Sequence, residues 1–320
     1  MGALTAGVDL GGTKIQTVVV RDEKVVGSAR LETPRDSVEA IVDAVAGSVR
    51  TSLDAAGAEA SDLAGVGMGT PGTIDRERGT VAHAVNVPPL SRVDPVPLAA
   101  LVSTALGGVR TLLENDVRAA VLGEWKRGAG RPYRDFLGVF VGTGVGGGIV
   151  LADELETGRG AAGEIGHTIV KRGGRRCGCG GRGHLESYAG RGQMELTARR
   201  WHHEGRKTKL FELMRRKGRD RVTSGVIASA LEDGDEVAME LIDDAVWALG
   251  VALASTATLL DLEAVIIGGG LGDRLGAPFV ERVAAEATPL LYQPERAPAF
   301  LGTELGDLSG AVGATVLAGG

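Results

Sequence analysis

The sequence predicts an α/β protein of two domains. Three observations lead there. At 320 residues the chain is longer than one ordinary hydrophobic core serves. Short apolar runs of strand type alternate with segments of helical spacing. A strand–glycine turn–strand unit near the N-terminus returns near the middle of the chain, one copy for each domain.

Composition narrows the class. Apolar residues make up 43% and charged residues 24%, a globular balance. The net charge of -6 argues against nonspecific attachment to nucleic acid or to an anionic membrane. Aromatics are only 3%, so the cores must be built from Val, Leu, Ile and Ala. The N-terminus lacks the basic start of a secretory signal and enters a strand pattern at once. The longest uncharged apolar run, Ala245 to Leu260, falls short of the roughly 20 residues that span a bilayer. It also carries Ser255, Thr256 and Thr258, and a buried core helix suits it better. No membrane partner is expected.

Ala6–Leu10 and Ile15–Val20 form the first pair of strands. Gly11, Gly12 and Thr13 between them make a tight turn, and Lys14 follows. Glycine allows a phosphate to approach backbone N–H groups with no Cβ in the way. Asp9 stands at the end of the first strand, at this turn. The loop is too short for a P-loop. The second copy runs from Phe136 to Val141, turns at Gly142, Thr143 and Gly144, and returns over Gly146–Leu151. Laying Gly7–Gly11 on Gly138–Gly142 puts Val18–Val20 on Ile149–Leu151. Two such hairpins that clamp one polyphosphate resemble the actin, Hsp70 and hexokinase superfold, of ribonuclease H-like type. That resemblance implies a cleft between the domains. The boundaries expected are 1–115 plus 305–320 for the small domain and 116–304 for the large one.

Between the hairpins, Val38, Ile41, Val42, Val45, Val49 and Leu53 keep helical spacing, with Asp36 or Ser37 as cap and Gly57 as stop. Gly65–Gly69 is a short strand that leads into a Gly69-Thr70-Pro71-Gly72 turn, and Asn86-Val87-Pro88 follows. Val109–Leu113 is a strand with Glu114-Asn115-Asp116 at its end. Asp116 can cap the next helix, which Gly128 stops. A strand-end carboxylate before a helix also stands where α/β proteins place ligands, and the two roles are compatible. Further on, Arg199–Arg221 is rich in Lys and Arg and suits a solvated helical surface. Asp235–Asp261 is a long helix, and Ala264–Ile267 a buried strand that enters Gly268-Gly269-Gly270. A strand, a glycine turn and a helix in that order allow close approach of a nucleotide. A last helix, Gly310–Leu317, closes the chain.

The segment from Gly160 to Gly190 holds both cysteines, Cys177 and Cys179, between His167 and His184. Two cysteines separated by one residue make a poor disulfide but half of a metal site. With the two histidines they supply the four N and S ligands of tetrahedral zinc. Such a site has no open position, so a structural Zn²⁺ is expected. Thiols kept for metal fit a reducing cytoplasm. Glu164 and Glu186 flank the histidines.

Gly-Glu-Ile-Gly-His at 163–167, followed by Cys-Gly-Cys-Gly-Gly-Arg-Gly-His-Leu-Glu at 177–186, resembles the signature of the ROK family of sugar kinases and sugar-responsive repressors. That family normally has a third cysteine where His184 stands. Glu114-Asn115-Asp116-x-x-Ala resembles its catalytic element. The resemblance implies an ATP-dependent hexose kinase, most like a glucokinase, with Asp116 as general base. It implies sugar contacts from Gly69, Thr70, Asn86, Asn115, Asp116, Glu164, His167 and Glu186. It implies donor contacts from Asp9, Gly11, Gly12, Thr13, Lys14, Gly142, Thr143 and Gly144, with adenosine at Gly268, Gly269 and Gly270. Asp9 would anchor Mg²⁺ through water. His167 can serve zinc with one ring nitrogen and the sugar with the other. A homo-oligomer, dimer or tetramer, is also implied. A repressor of the family would need an N-terminal helix-turn-helix, and the first hairpin begins at residue 6. Fructose and the N-acetylhexosamines remain alternative acceptors.

Overall fold

The structure, a computed structural model, describes residues 2–319. The chain forms two compact units. The first takes the chain up to Pro132, the short segment Thr157–Gly160, and the chain from Asp307 onward. The second takes Tyr133–Glu156 and Ala161–Gly306.

The first unit opens with β1 (Leu4–Leu10), β2 (Lys14–Arg21) and β3 (Lys24–Glu32), followed by α1 (Val38–Ala56). Ser37 caps α1 by accepting the Ala40 N–H at 3.1 Å, and Gly57 ends it in a left-handed conformation. Then come β4 (Leu63–Thr70), β5 (Thr73–Asp75), β6 (Thr80–Ala82), α2 (Leu98–Ala105), β7 (Thr111–Asn115) and α3 (Asp116–Arg127). The main sheet has the order β3-β2-β1-β4-β7. β1 pairs antiparallel with β2 and parallel with β4, and β4 pairs parallel with β7. Leu4, Ala6, Val8 and Leu10 alternate along β1 and share a core with Ile41, Val45 and Val49 of α1. Each such Val or Leu contributes roughly 1.5–3 kcal/mol by leaving water.

The second unit contains β8 (Phe136–Val141), β9 (Val145–Leu151), β10 (Glu154–Leu155), α4 (Glu186–Ala189), α5 (Arg191–His203), α6 (Leu210–Arg216), α7 (Ser224–Glu232), α8 (Glu236–Leu260), β11 (Ala264–Gly268), α9 (Gly269–Ala287) and β12 (Ala299–Gly302). Its sheet order is β10-β9-β8-β11-β12. The long apolar run is the buried helix α8, capped by Asp235 through the Ala238 N–H at 2.8 Å. Leu241, Ala245 and Leu249 of α8 meet Leu137, Val139 and Val141 of β8 in one core. Among the described residues no helix is long and apolar enough to cross a membrane. The chain then returns to the first unit through α10 (Ser309–Ala318), which packs on α3, β1 and β4.

The internal repeat is a repeat of topology. In each sheet a hairpin occupies the centre, a third strand extends it antiparallel, and two parallel strands complete the other side. The expected superposition slips by one residue on the return strand. Leu10 pairs with Ile15, but Val141 pairs with Val145. The second turn is therefore one residue shorter. Gly7 faces Val18, and Gly138 faces Gly148 rather than Ile149.

Three expected boundaries move. β4 runs through Gly69 and Thr70, so the turn begins at Pro71. β7 runs through Glu114 and Asn115, not only to Leu113. The division between units falls after Pro132, not after Asn115. The reason is α3, which packs against α10 and against β4 of the first sheet.

Candidate active site

In the first unit, the glycine turn after β1 is closed by Gly11 N–H donating to Lys14 O at 2.9 Å. Thr33 braces it, its hydroxyl donating to Gly11 O at 2.7 Å and its N–H to Thr13 O at 3.2 Å. Gly12 is required by close approach. A Cβ there would lie 2.5 Å from the carbonyl oxygen of Asn86. The fold thereby sets Asn86 directly against the turn, though the two are far apart in sequence. Lys14 is engaged at its tip, with Nζ 3.2 Å from Asp307 Oδ1.

Asp9 is the penultimate residue of β1, two residues before Gly11 of this turn. Its carboxyl is pushed up to about 7, chiefly by burial, with the Asp116 carboxylate and then Asp307 contributing to the rise and Lys14 opposing it. Two carboxylates in one partly buried place repel, and such a pair favours a cation or a proton between them.

Asp116 is the first residue of α3, one residue past the cap. The cap is Asn115, because β7 stays extended through that position. Its side-chain oxygen accepts the N–H of Val117 at 3.0 Å and of Arg118 at 3.2 Å. This corrects the expectation that Asp116 is the cap. Asp116 Oδ1 accepts the Val117 N–H at 3.0 Å. Asn115 keeps its amide N–H groups for another partner. Gly69 at the end of β4 lies against this junction, with the Asp116 Cα 3.3 Å from its Cβ position.

Sequence reasoning missed the support beneath. Glu114 is fully buried. It pairs with Arg118 Nε at 2.8 Å and with Arg76 Nη2 at 2.6 Å, and it accepts the Asn115 N–H at 2.7 Å. Arg118 also donates to Gly160 O at 2.9 Å. A buried carboxylate is stable only when paired in this way. The i,i+4 spacing of Glu114 and Arg118 was the available signal.

In the second unit, the turn Gly142–Thr143–Gly144 is closed by Gly142 N–H donating to Gly144 O at 2.9 Å. The glycine loop after β11 lies beside it. Gly268 ends the strand, and Gly269 adopts φ 82° with its Cβ position 2.7 Å from Val141 N. Only glycine suits both demands. Gly270 follows, exposed, in the first turn of α9.

The metal-type segment folds as a cluster. A turn of 3₁₀ helix over Ile165–His167 puts Glu164 and His167 on one short loop, with His167 N–H donating to Glu164 O at 3.1 Å. Cys177 and Cys179 sit on a tight turn closed by Gly180 N–H to Cys177 O at 3.0 Å. Ligand atoms of His167, Cys177, Cys179 and His184 all lie within 4.8 Å of one another. Cys177 Sγ is 3.9 Å from His167 Nδ1, and Cys179 Sγ is 3.2 Å from His184 Nδ1. Zinc bond lengths put tetrahedral N and S donors about 3.3–3.8 Å apart; the two distances lie close to that range, and two thiols with two imidazoles are donors that zinc accepts. Burial pushes the Cys177 thiol up to about 12, with Cys179 and Glu186 adding to the rise. A divalent ion would displace such a proton on binding. Glu186 begins α4 and accepts the Val145 N–H at 3.1 Å, with Cys177 Sγ 3.5 Å from its other oxygen. It therefore joins the cluster to the end of the second glycine turn.

Residues 5–320 match the ROK family. A glucokinase of Streptomyces coelicolor is 34% identical over 322 residues, covering 98% of this chain and 97% of that protein. An N-acetylmannosamine kinase of Haemophilus influenzae is 30% identical over 305 residues, covering 93% and 91%. The solved structure of a ROK family glucokinase from Streptomyces griseus, in complex with glucose and AMPPNP, matches with a TM-score of 0.81. It is 32% identical and covers 98% of this chain and 99% of that one. The two α/β sheets share the fold of ROK hexokinases, of actin/hexokinase-like type. The chain belongs to the ROK family.

Proposed function

We propose that this protein is an ATP-dependent glucokinase that phosphorylates the 6-hydroxyl of D-glucose. One observation carries the reading: Asp116 opens α3 at the end of β7, in a chain 34% identical to a glucokinase over nearly its whole length. Phosphoryl transfer asks little covalent work of a protein. It asks for alignment of the hydroxyl with the γ-phosphate and for charge balance. Asp116 accepts the proton of the 6-hydroxyl. Asn115, with its oxygen committed to the cap, offers N–H donors to the sugar. Gly69, Asn86, Glu164, His167 and Glu186 supply the remaining contacts.

The two glycine turns, with Gly11, Gly12, Thr13 and Lys14 in one unit and Gly142, Thr143 and Gly144 in the other, hold the donor's phosphates. Gly268, Gly269 and Gly270 receive adenosine. Asp9 would be the protein-side anchor of Mg²⁺, through water, and the ion would balance phosphate charge. His167, Cys177, Cys179 and His184 would hold zinc as a closed structural site, which fixes the His167 ring for the sugar. The reading includes a cytoplasmic homo-oligomer.

A coupled ADP-release assay over glucose, mannose, fructose, N-acetylglucosamine and N-acetylmannosamine at fixed MgATP tests it. The expected result is the highest kcat/KM for glucose. A higher value for N-acetylmannosamine would move the assignment towards the Haemophilus relative. No turnover with any sugar would overturn the kinase reading.

A further inference from the structure

Arg191 opens α5 directly after the segment that carries Glu186. It grips the second glycine turn twice. Its backbone N–H donates to Gly142 O at 3.0 Å, and the next N–H, of Gly192, donates to Thr143 O at 2.9 Å. Its guanidinium then reaches over the turn, Nη2 donating to Thr143 Oγ1 at 2.8 Å and Nη1 to Ser224 Oγ at 3.0 Å. Ser224 opens α7, and its Oγ lies 3.7 Å from the Cβ position of Gly270. The Arg191 side chain thus spans from the Thr143 turn to the glycine loop after β11. Two of the five guanidinium N–H donors are used in these bonds.

A second guanidinium stands beside it. Arg221 Nη2 lies 4.0 Å from the Cβ position of Gly192, and its side chain is 63% exposed. The nearby acid, Glu195, balances the two only in part, opposing the shift of Arg191 and forming a long ion pair with Arg221. Glu195 accepts from Arg199 at 2.9 and 2.6 Å and from the Val222 N–H at 3.0 Å, while Arg221 Nε remains 3.9 Å away. Burial pushes Arg191 below its ordinary range, and the Arg221 charge adds to that shift. Arg221 is exposed, as expected of the basic surface over Arg199–Arg221, while its charge also acts on Arg191. A partly buried guanidinium beside an exposed one of like charge at a glycine turn is stabilised by an anion, and guanidinium geometry matches phosphate oxygens two at a time.

We infer that Arg191 and Arg221 bind the phosphoanhydride chain of the phosphoryl donor at the Gly142–Gly144 turn, with Arg191 also positioning Thr143. The inference rests on the kinase reading above. The chemistry recognised is common to a nucleoside triphosphate and to inorganic polyphosphate, and the test separates the two donors.

The experiment compares wild type with Arg191→Gln, Arg191→Lys, Arg221→Gln and, as a charge control, Arg216→Gln at the exposed end of α6. KM and kcat are measured for MgATP and for glucose, and again with inorganic polyphosphate as donor. Arg191→Gln should raise the KM for MgATP by about tenfold or more, as expected for loss of a charge-assisted contact, with the glucose KM within twofold of wild type. Arg191→Lys should recover part of the loss. Arg221→Gln should raise the KM for MgATP several-fold, and Arg216→Gln should change nothing. Turnover with polyphosphate that falls in the same two variants would extend the site to that donor, and turnover with ATP alone would confine it to the nucleotide. An unchanged KM for MgATP in both Arg191→Gln and Arg221→Gln would overturn the inference. So would an equal rise in both substrates' KM with no recovery by Lys, the pattern of a purely structural residue. Should Arg191→Gln fail to fold, Arg221→Gln decides alone, because it does not hold the turn. If wild type turns over no sugar, the kinase reading fails separately, and calorimetric titration of MgATP into the same variants still decides the arginine assignment.

Discussion

Glu186 accepts the backbone N–H of Val145 at 3.1 Å. One carboxylate expected to face the sugar is thus tied to the strand that leaves the second glycine turn. Its other oxygen lies 3.5 Å from Cys177 Sγ, so the His/Cys cluster and the second glycine turn meet in one side chain. Glu186→Ala should leave the Val145 N–H unpaired and cost roughly 1–3 kcal/mol of stability. It should also raise the KM for both glucose and MgATP. Chemical denaturation and two-substrate kinetics check this. A rise confined to the glucose KM would mean that the bond to Val145 does not hold the turn.

Asp9 makes stability depend on pH. Its folded-state pKa, about 7, is above the ordinary carboxylate value near 4. The folded protein therefore binds the proton more tightly than the unfolded chain. Stability is full below about pH 4 and is lost progressively as pH rises to about 7 and a little beyond. Burial drives the shift, Asp116 and to a lesser degree Asp307 add to it, and Lys14 opposes it. Asp9→Asn should stabilise the protein without nucleotide or magnesium by roughly 2–4 kcal/mol at pH 8, with the gain shrinking steadily at lower pH. The same variant should lose activity. Denaturation at pH 5, 6, 7 and 8 gives the profile, and a gain that does not vary with pH would contradict it.

Asn115 combines two jobs that substitution can separate. Asn115→Ala removes the cap bonds to Val117 and Arg118 and should cost about 1 kcal/mol. Asn115→Asp keeps an equally good cap but has no N–H to donate. It should retain stability while the glucose KM rises about tenfold. Thermal denaturation beside glucose kinetics makes the comparison. Equal stability loss in both variants would remove the capping account.

The proposed zinc site predicts metal content. Purified protein should contain one zinc per chain by elemental analysis, and Cys177→Ala should lose it together with sugar binding. His184→Cys, which restores the residue usual in the family, should keep the metal. A wild-type protein free of zinc after preparation without chelator would refute the assignment.

Much of this architecture was legible in the chain because it rests on local patterns. The two glycine hairpins, the Ser37 cap, the long α8 and the His/Cys segment each occupy one contiguous stretch. What stayed hidden depends on register or on distant partners. The one-residue slip between the hairpins arises from a shorter turn at Gly142–Gly144, which strand patterns of Val and Ile do not register. The cap fell to Asn115 rather than Asp116 because β7 runs two residues further than its apolar stretch. Glu114 reads in the sequence only as part of the strand-end element, and its burial is supported by Arg76 and Arg118. Arg191 carries no local signal at all, since Thr143 and Ser224 reach it only through the fold.

Asp116 allows the sharpest test of the proposed chemistry. It sits at the first position of α3 but is not the cap, so its carboxylate is not required for the bonds that Asn115 makes. Asp116→Asn keeps the shape and can still accept the Val117 N–H now held by Oδ1 at 3.0 Å. The amide cannot accept a proton from the sugar hydroxyl. General-base removal typically costs about 10²–10⁴-fold in rate. The variant should therefore bind glucose with little change, measured by calorimetry, and lose turnover by about that factor at saturating glucose and MgATP. Removing the charge should also relieve Asp9, whose pKa the Asp116 carboxylate raises, so the pH dependence of stability should shift to lower pH. Turnover above half of the wild-type value would show that Asp116 serves the helix start and not the reaction. Loss of turnover with the Asp9 profile unmoved would separate the two carboxylates and leave the catalytic role standing on kinetics alone.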